Sequence, residues 1–387
     1  MVLFMKLLFA PATVFLSALI ILSCFTSVPY LSYSGRPKYR SYFSRIPKCD
    51  IFQGEWVPDD AAPRYTNETC SHIQDHQNCM KYGRPDLEFL RWRWQPSRCN
   101  LPRFDADRFL RLVGNKTLAF VGDSLARNHM QSLICLLSKV ASPKDVSAKG
   151  RIKILYYEGY NFTMKSFWSP FLVRTEESSD NAGVFKLYVD EPDNIWFSGV
   201  AEFDYVILSG ANWFTRQSMF YERGQLVGGS YVALNITSNL TLRYSHRMAF
   251  RTALRAINDH GSVRAKVIVR TLSPMSHFEG GAWDKGGDCR RTRPYRSNET
   301  TIGGQELDFY TAQVDEFREA KKAAAAAGVD IVLMDPTGAM ILRPDGHPSR
   351  YGHWPGEKRT LYNDCIHWCL PGPVDAWNDM LLQIMSD

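Results

Sequence analysis

The sequence predicts an α/β body, in which helices cover both faces of a mostly parallel sheet, preceded by a disulfide-rich subdomain and an N-terminal transmembrane helix. Three observations carry this reading. Beyond residue 101, short apolar runs alternate with amphipathic stretches; cysteines and tryptophans cluster ahead of them; and an uncharged apolar stretch opens the chain. The 387 residues have ordinary apolar and charged fractions and a net charge of +6 with no run of like charges. That balance predicts neither long disorder nor a nucleic-acid-binding tail.

No charged residue lies between Lys6 and Arg36, and Leu7 to Val28 is strongly apolar. This length suits a helix crossing a hydrocarbon core of about 30 Å and exceeds the apolar stretch of about 7–15 residues usual in a cleaved signal peptide. Residues 1–6 are expected as a cytosolic tail, 7–28 as an uncleaved signal anchor and 29–48 as a short stem. Arg36, Lys38, Arg40 and Arg45 follow the anchor, and a charge count alone would keep the body in the cytosol.

Two features oppose that orientation. Six N-x-S/T sequons occur at Asn67, Asn115, Asn161, Asn235, Asn239 and Asn298, more than chance supplies and suited to glycosylation in a secretory lumen. Outside the anchor, which contains Cys24, the cysteines form an even set: Cys49, Cys70, Cys79, Cys99, Cys135, Cys289, Cys365 and Cys369. Such a set fits disulfides in an oxidising compartment. None of them forms a CxxC, so no metal site is expected. The body is read as lumenal.

Residues 49–100 are dense in Gly, Pro, Trp and Cys, which favours turns over long elements and makes the segment dependent on disulfides and docking. Its interleaved Arg91-Trp92-Arg93-Trp94 could stack nucleic-acid bases, but a lumenal location argues against that. Flat aromatic faces also suit the C–H faces of sugars, or simply fill the subdomain. Residues 101–387 form the catalytic body. Thr117–Val121, Tyr205–Leu208, Lys266–Arg270 and Asp330–Met334 read as buried strands, each ending in turn residues. Helical patterns cover Leu125–Lys139, Ser245–Asn258 and Glu306–Ala327, the last closed by Gly328. In such sheets, sites form at the carboxyl ends of strands.

Chemistry concentrates at two of these places. After the first strand, Gly122-Asp123-Ser124 turns directly into a helix. A serine there sits among free backbone N–H groups able to stabilise an oxyanion, although Ser is also a common N-cap. A hydroxyl nucleophile needs a base, and the base an orienting group. Asp364 and His367 stand one turn apart, with Cys365 and Cys369 on either side of His367, so a disulfide-held loop could present the imidazole. Gly210 and Asn212, after the second strand, are oxyanion candidates, and Arg127, one turn beyond Ser124, could stabilise an anion or pair with a carboxylate. His277, after the third strand and near Glu279, is the rival base, but it lacks the D-x-x-H context, so substrate contact or a structural role is expected instead. No Walker loop, HExxH or GxGxxG occurs, and no bound cofactor is expected.

Gly-Asp-Ser with a C-terminal D-x-x-H resembles the SGNH/GDSL-type esterases and acyltransferases. Cys49-Asp-Ile-Phe-Gln-Gly-Glu-Trp56, Asn78-Cys-Met-Lys-Tyr-Gly-Arg-Pro-Asp86, Phe89-Leu-Arg-Trp-Arg-Trp94, Val121-Gly-Asp-Ser-Leu-Ala-Arg-Asn-His129 and Asp364-Cys-Ile-His-Trp-Cys-Leu-Pro-Gly372 are similar, in that order, to the plant trichome birefringence-like family. Trp213 stands where the wider SGNH class has Asp after its Gly-x-Asn block. The resemblance implies an SGNH-like three-layer sandwich in a single-pass type II Golgi membrane protein that O-acetylates cell-wall polysaccharide. Ser124 would take acetyl from a donor of unspecified identity and pass it to a hemicellulose hydroxyl, with xyloglucan first and mannan or xylan behind. His367 would act as base then acid, oriented by Asp364. Carried over by position, the family's disulfides would pair Cys49 with Cys99, Cys70 with Cys135, Cys79 with Cys369, and Cys289 with Cys365. A carbohydrate acetylesterase with the same triad, and an inert wall-glycan-binding protein, are the competing readings.

Overall fold

The computed structural model describes residues 49–61, 63–179, 182–232, 238–359 and 362–386. The expected tail, anchor and stem, and Asn235, lie outside them. Among the described residues no helix is long and apolar enough to cross a membrane.

The Cys- and Trp-rich segment contains one antiparallel pair, β1 (Gly54–Pro58) and β2 (Trp92–Pro96), joined by turns. Trp56 packs edge-on against Trp94, and both indole N–H groups donate to backbone carbonyls, of Ala339 and Ile51. The tryptophans of this pair therefore serve packing and docking. Helix α1 (Ala106–Leu112), capped by the Asp105 side chain, leads into the body.

The central sheet contains β3 (Thr117–Gly122), β4 (Lys144–Asp145), β5 (Ile152–Tyr157), β6 (Phe162–Trp168), β9 (Tyr205–Leu208), β12 (Lys266–Arg270) and β13 (Asp330–Met334). Their spatial order is β13-β12-β9-β3-β6-β5-β4. The strands from β13 to β6 run parallel, while β5 and β4 join antiparallel at one edge. Burial on both faces explains why β9 is apolar throughout. A smaller sheet adds β7 (Val173–Glu177), β8 (Phe185–Pro192), β10 (Ser218–Glu222) and β11 (Gln225–Ser230), in the order β11-β10-β8-β7.

Alternation along β3 assigns the two helical layers. Ala119 and Val121 face α3 (Leu242–Asp259) and α4 (Gly304–Ala327), whose Phe250, Leu254, Val314 and Phe317 complete one core. On the other face, Phe120 meets His129 of α2 (Ser124–Leu137), and His129 meets Trp377 of α5 (Asp375–Ser386), ring edge to ring face in both contacts. Gly328 closes α4 with φ +69°, as its sequence position suggests. The disulfides are Cys49–Cys99, Cys70–Cys135, Cys79–Cys369 and Cys289–Cys365.

Candidate active site

The turn after β3 is shaped by Gly122. Its φ is +154°, and a Cβ there would collide with the carbonyl oxygen of Ser209, so only glycine lets β3 pass this close to the end of β9. The helix cap is Asp123 rather than Ser124: one carboxylate oxygen accepts from the Leu125 N–H at 2.9 Å. The other accepts from the Ala211 N–H at 3.4 Å, tying the Gly210–Asn212 loop to the Ser124 turn. Ser124, relieved of capping, is the half-buried first residue of α2, where helical N–H groups lack intrahelical acceptors.

The C-terminal loop arrives beside this helix through Asn128, one turn below Ser124. The Asn128 Oδ1 accepts from the Trp368 N–H at 2.7 Å, and its Nδ2 donates to the Trp368 carbonyl at 3.4 Å. Disulfides reach both flanks of the loop, at Cys365 and Cys369. Within it, the Asp364 Oδ1 accepts the Ile366 and His367 N–H groups, and Oδ2 accepts the His367 Nδ1–H at 2.7 Å. That bond leaves the lone pair of neutral His367 on Nε2, which is buried and bonded to no described residue. Burial pushes the Asp364 carboxyl up, but the His367 charge and these hydrogen bonds outweigh it and hold the group well below the usual carboxylate range. Burial likewise opposes charge on His367; Asp364, helped by Asp123 and opposed by Arg127, raises it above an ordinary histidine.

The remaining candidates separate clearly. Asn212 is 8 % exposed, and its amide nitrogen and oxygen are both buried without a partner among the described residues. The Gly210 carbonyl accepts from Gln313 Nε2 at 2.9 Å. Arg127 makes no ion pair with a described residue; its guanidinium lies 4.4 Å from the Trp168 ring centre, and burial lowers its pKa. Of the readings the sequence leaves open for His277, the structural one fits its surroundings. It is 4 % exposed, its Nε2 donates to the Ile341 carbonyl and its Nδ1 meets His347. His347 in turn donates from Nδ1 to the His367 carbonyl at 2.7 Å and stacks on Trp368, so this pair buttresses the base loop from behind. Asp288 lies beside the sulfurs of Cys289 and Cys365, but a disulfide offers no thiolate to a metal. Asn115, Asn161, Asn239 and Asn298 are exposed and Asn67 is half-buried; the Asn161 amide donates to Asn115.

Sequence reasoning missed Asn128 and His347, whose side chains act on backbone groups far away in sequence, and His76, whose ring lies edge-on to His367 with centroids 5.3 Å apart. A histidine in the short run before Cys79 was the only available signal.

A serine that begins the helix after the first parallel strand, with an Asp–His pair on a loop held against the same helix, is the arrangement of an acyl-transfer protein of GDSL/SGNH type. Residues 101–384 match the PC-Esterase model, described as a GDSL/SGNH-like acyl-esterase family found in Pmr5 and Cas1p, and residues 47–100 match the PMR5 N terminal Domain. Protein trichome birefringence-like 19 of Arabidopsis thaliana is 50 % identical over 87 % of this chain and 81 % of its own. Xyloglucan O-acetyltransferase 4 of Populus trichocarpa is 43 % identical over 87 % of this chain and 81 % of its own. Xyloglucan O-acetyltransferase 1 of Arabidopsis thaliana is 40 % identical over 88 % and 80 %. The chain belongs to the trichome birefringence-like family.

Proposed function

We propose that this cell-wall polysaccharide O-acetyltransferase carries acetyl on Ser124 and delivers it to a hemicellulose hydroxyl, with xyloglucan the first acceptor to test and mannan and xylan next. The observation that carries the mechanism is the His367 side chain: Nδ1 held by Asp364, Nε2 buried, bonded to no described residue and able to take a proton. The acceptor reading is supported by relatives named for xyloglucan.

In the first half-reaction Nε2 takes the Ser124 hydroxyl proton while Oγ bonds to the acetyl carbonyl carbon. The donor's leaving group departs with that proton, leaving an ester on Oγ. In the second, Nε2 takes the proton of a sugar hydroxyl, whose oxygen attacks the ester, and returns it to Oγ as the serine leaves. The Ser124 N–H and the Asn212 amide are the proposed oxyanion donors, and Arg127 adds a positive field. The chain's own residues supply every step, with the acetyl donor as co-substrate.

We also assign the body to the Golgi lumen behind a single-pass type II anchor at residues 7–28. Four disulfides and the exposed sequon asparagines support that side of the membrane.

Intact-protein mass spectrometry with an activated acetyl donor tests the mechanism. A one-acetyl adduct on the native chain, absent from Ser124→Ala and discharged by only one of the xyloglucan, mannan or xylan oligosaccharides, is expected. Discharge to water at one rate whatever the sugar would make the protein an esterase. No adduct, with sugar binding intact, would leave a glycan-binding protein.

A further inference from the structure

His76 belongs to the N-terminal subdomain, yet it is built into the active site. It occupies the 3-10 turn Asp75–Gln77, which is pinned from three directions. The Leu370 N–H donates to the Gln77 carbonyl at 2.9 Å, just ahead of the Cys79–Cys369 disulfide. The side-chain amide of Gln131, on α2, donates to the His72 carbonyl. Gly352 lies so close that a Cβ there would stand 2.9 Å from the His76 carbonyl oxygen. The imidazole so held is half-buried and turned at 76° to the ring of His367, and neither nitrogen hydrogen-bonds a described residue.

A ring carried on a backbone held this firmly, with both polar atoms left open beside His367, is placed to meet a ligand. Burial, with His367 and Arg127 adding to it, lowers its pKa to about 4, so the ring is neutral when His367 works. A neutral imidazole offers one donor and one acceptor. A sugar hydroxyl offers the same two functions.

We propose that His76 is an acceptor-binding residue: its open imidazole hydrogen-bonds one hydroxyl of the incoming sugar and so brings a neighbouring hydroxyl to Nε2 of His367. This deepens the transferase reading above and rests on it. The first half-reaction needs no sugar, so His76 has no part in loading Ser124.

The test uses the full-length chain in detergent, comparing native protein with His76→Ala and His76→Gln. Three readings are taken: acetyl loading of Ser124, discharge to xyloglucan oligosaccharide, and calorimetric binding of that oligosaccharide to unacetylated protein. His76→Ala should load acetyl at the native rate, raise the acceptor KM ~10–100-fold, lose more acetyl to water and bind the sugar correspondingly weakly. His76→Gln, which keeps a donor and an acceptor, should recover part of that loss. Unchanged acceptor KM and binding in both variants would overturn the proposal. So would slowed loading in a variant of native melting temperature, which would make His76 a support of the base. If the alanine variant does not fold, the glutamine variant decides by the same criteria, with weakened binding expected and native binding fatal. The transferase reading fails separately, if the native chain never loads acetyl; the binding measurement then still judges His76.

Discussion

Asn128 grips Trp368 by both ends of its side-chain amide, accepting from the indole residue's N–H and donating to its carbonyl. The nucleophile helix and the base loop, at opposite ends of the sequence, are aligned through this one side chain. Asn128→Ala would leave a fully buried N–H unpaired, at a cost of about 1–3 kcal/mol. Misplacement of His367 relative to Ser124 should lower kcat ~10–100-fold with acceptor KM little changed, measurable by steady-state kinetics beside a melting curve.

Asp364→Asn replaces the group that fixes the His367 tautomer and raises its pKa. The base works deprotonated, so activity falls as pH drops through the His367 value, and the acid limb of the native profile should lie above the ordinary histidine value of about 6.5. In the variant, kcat should fall ~10⁴-fold. Any residual acid limb should move to lower pH. A native limb well below 6.5 would contradict the pairing.

Asn212 offers a contrast between activity and stability. Its buried amide makes no hydrogen bond to a described residue, so Asn212→Ala should leave the melting temperature nearly unchanged. As an oxyanion donor it should still be missed in the transition state, with kcat ~10²–10³-fold lower. An unaffected kcat would remove Asn212 from the site.

Double replacement of Cys79 and Cys369 by serine should cost about 2–5 kcal/mol in denaturant unfolding. Because this bond also carries the His76 turn to the base loop, sugar transfer should fall further than stability alone predicts.

Asp335 is 2 % exposed, and burial pushes its pKa up to about 6 against the hydrogen bonds from Tyr310 and Thr271. A raised native value means that protonation favours the folded state; this contribution is complete below the unfolded value near 3.9 and is lost as pH rises through about 6. Between pH 7 and 5 the group should therefore add about 1 kcal/mol of stability. Asp335→Asn should flatten that part of the melting temperature–pH curve.

Much of this molecule is legible in its sequence, for particular physical reasons. β9, β12 and β13 are buried runs bounded by turns, and their observed limits are those their apolarity suggests. β6 escaped because it mixes polar and apolar residues, and its parallel partner β3 lies across a long connection. The smaller sheet is half-exposed, so neither its pattern nor its register stands out. Ser124, Asp364 and His367 are readable because the serine turn and the Asp–His pair are local. Asn128, His347 and His76 act across the fold on backbone or rings, and such contacts leave no periodic trace. His277 stays ambiguous in the sequence because a histidine after a strand looks the same whether it faces substrate or braces a loop.

The loop carrying His367 is secured by bonds that a newly made chain does not yet have. Before Cys79–Cys369 and Cys289–Cys365 close, the polypeptide possesses a serine but no firmly mounted base. On the proposed mechanism, a precursor in which Cys79, Cys289, Cys365 and Cys369 are still thiols should transfer little acetyl until they are oxidised.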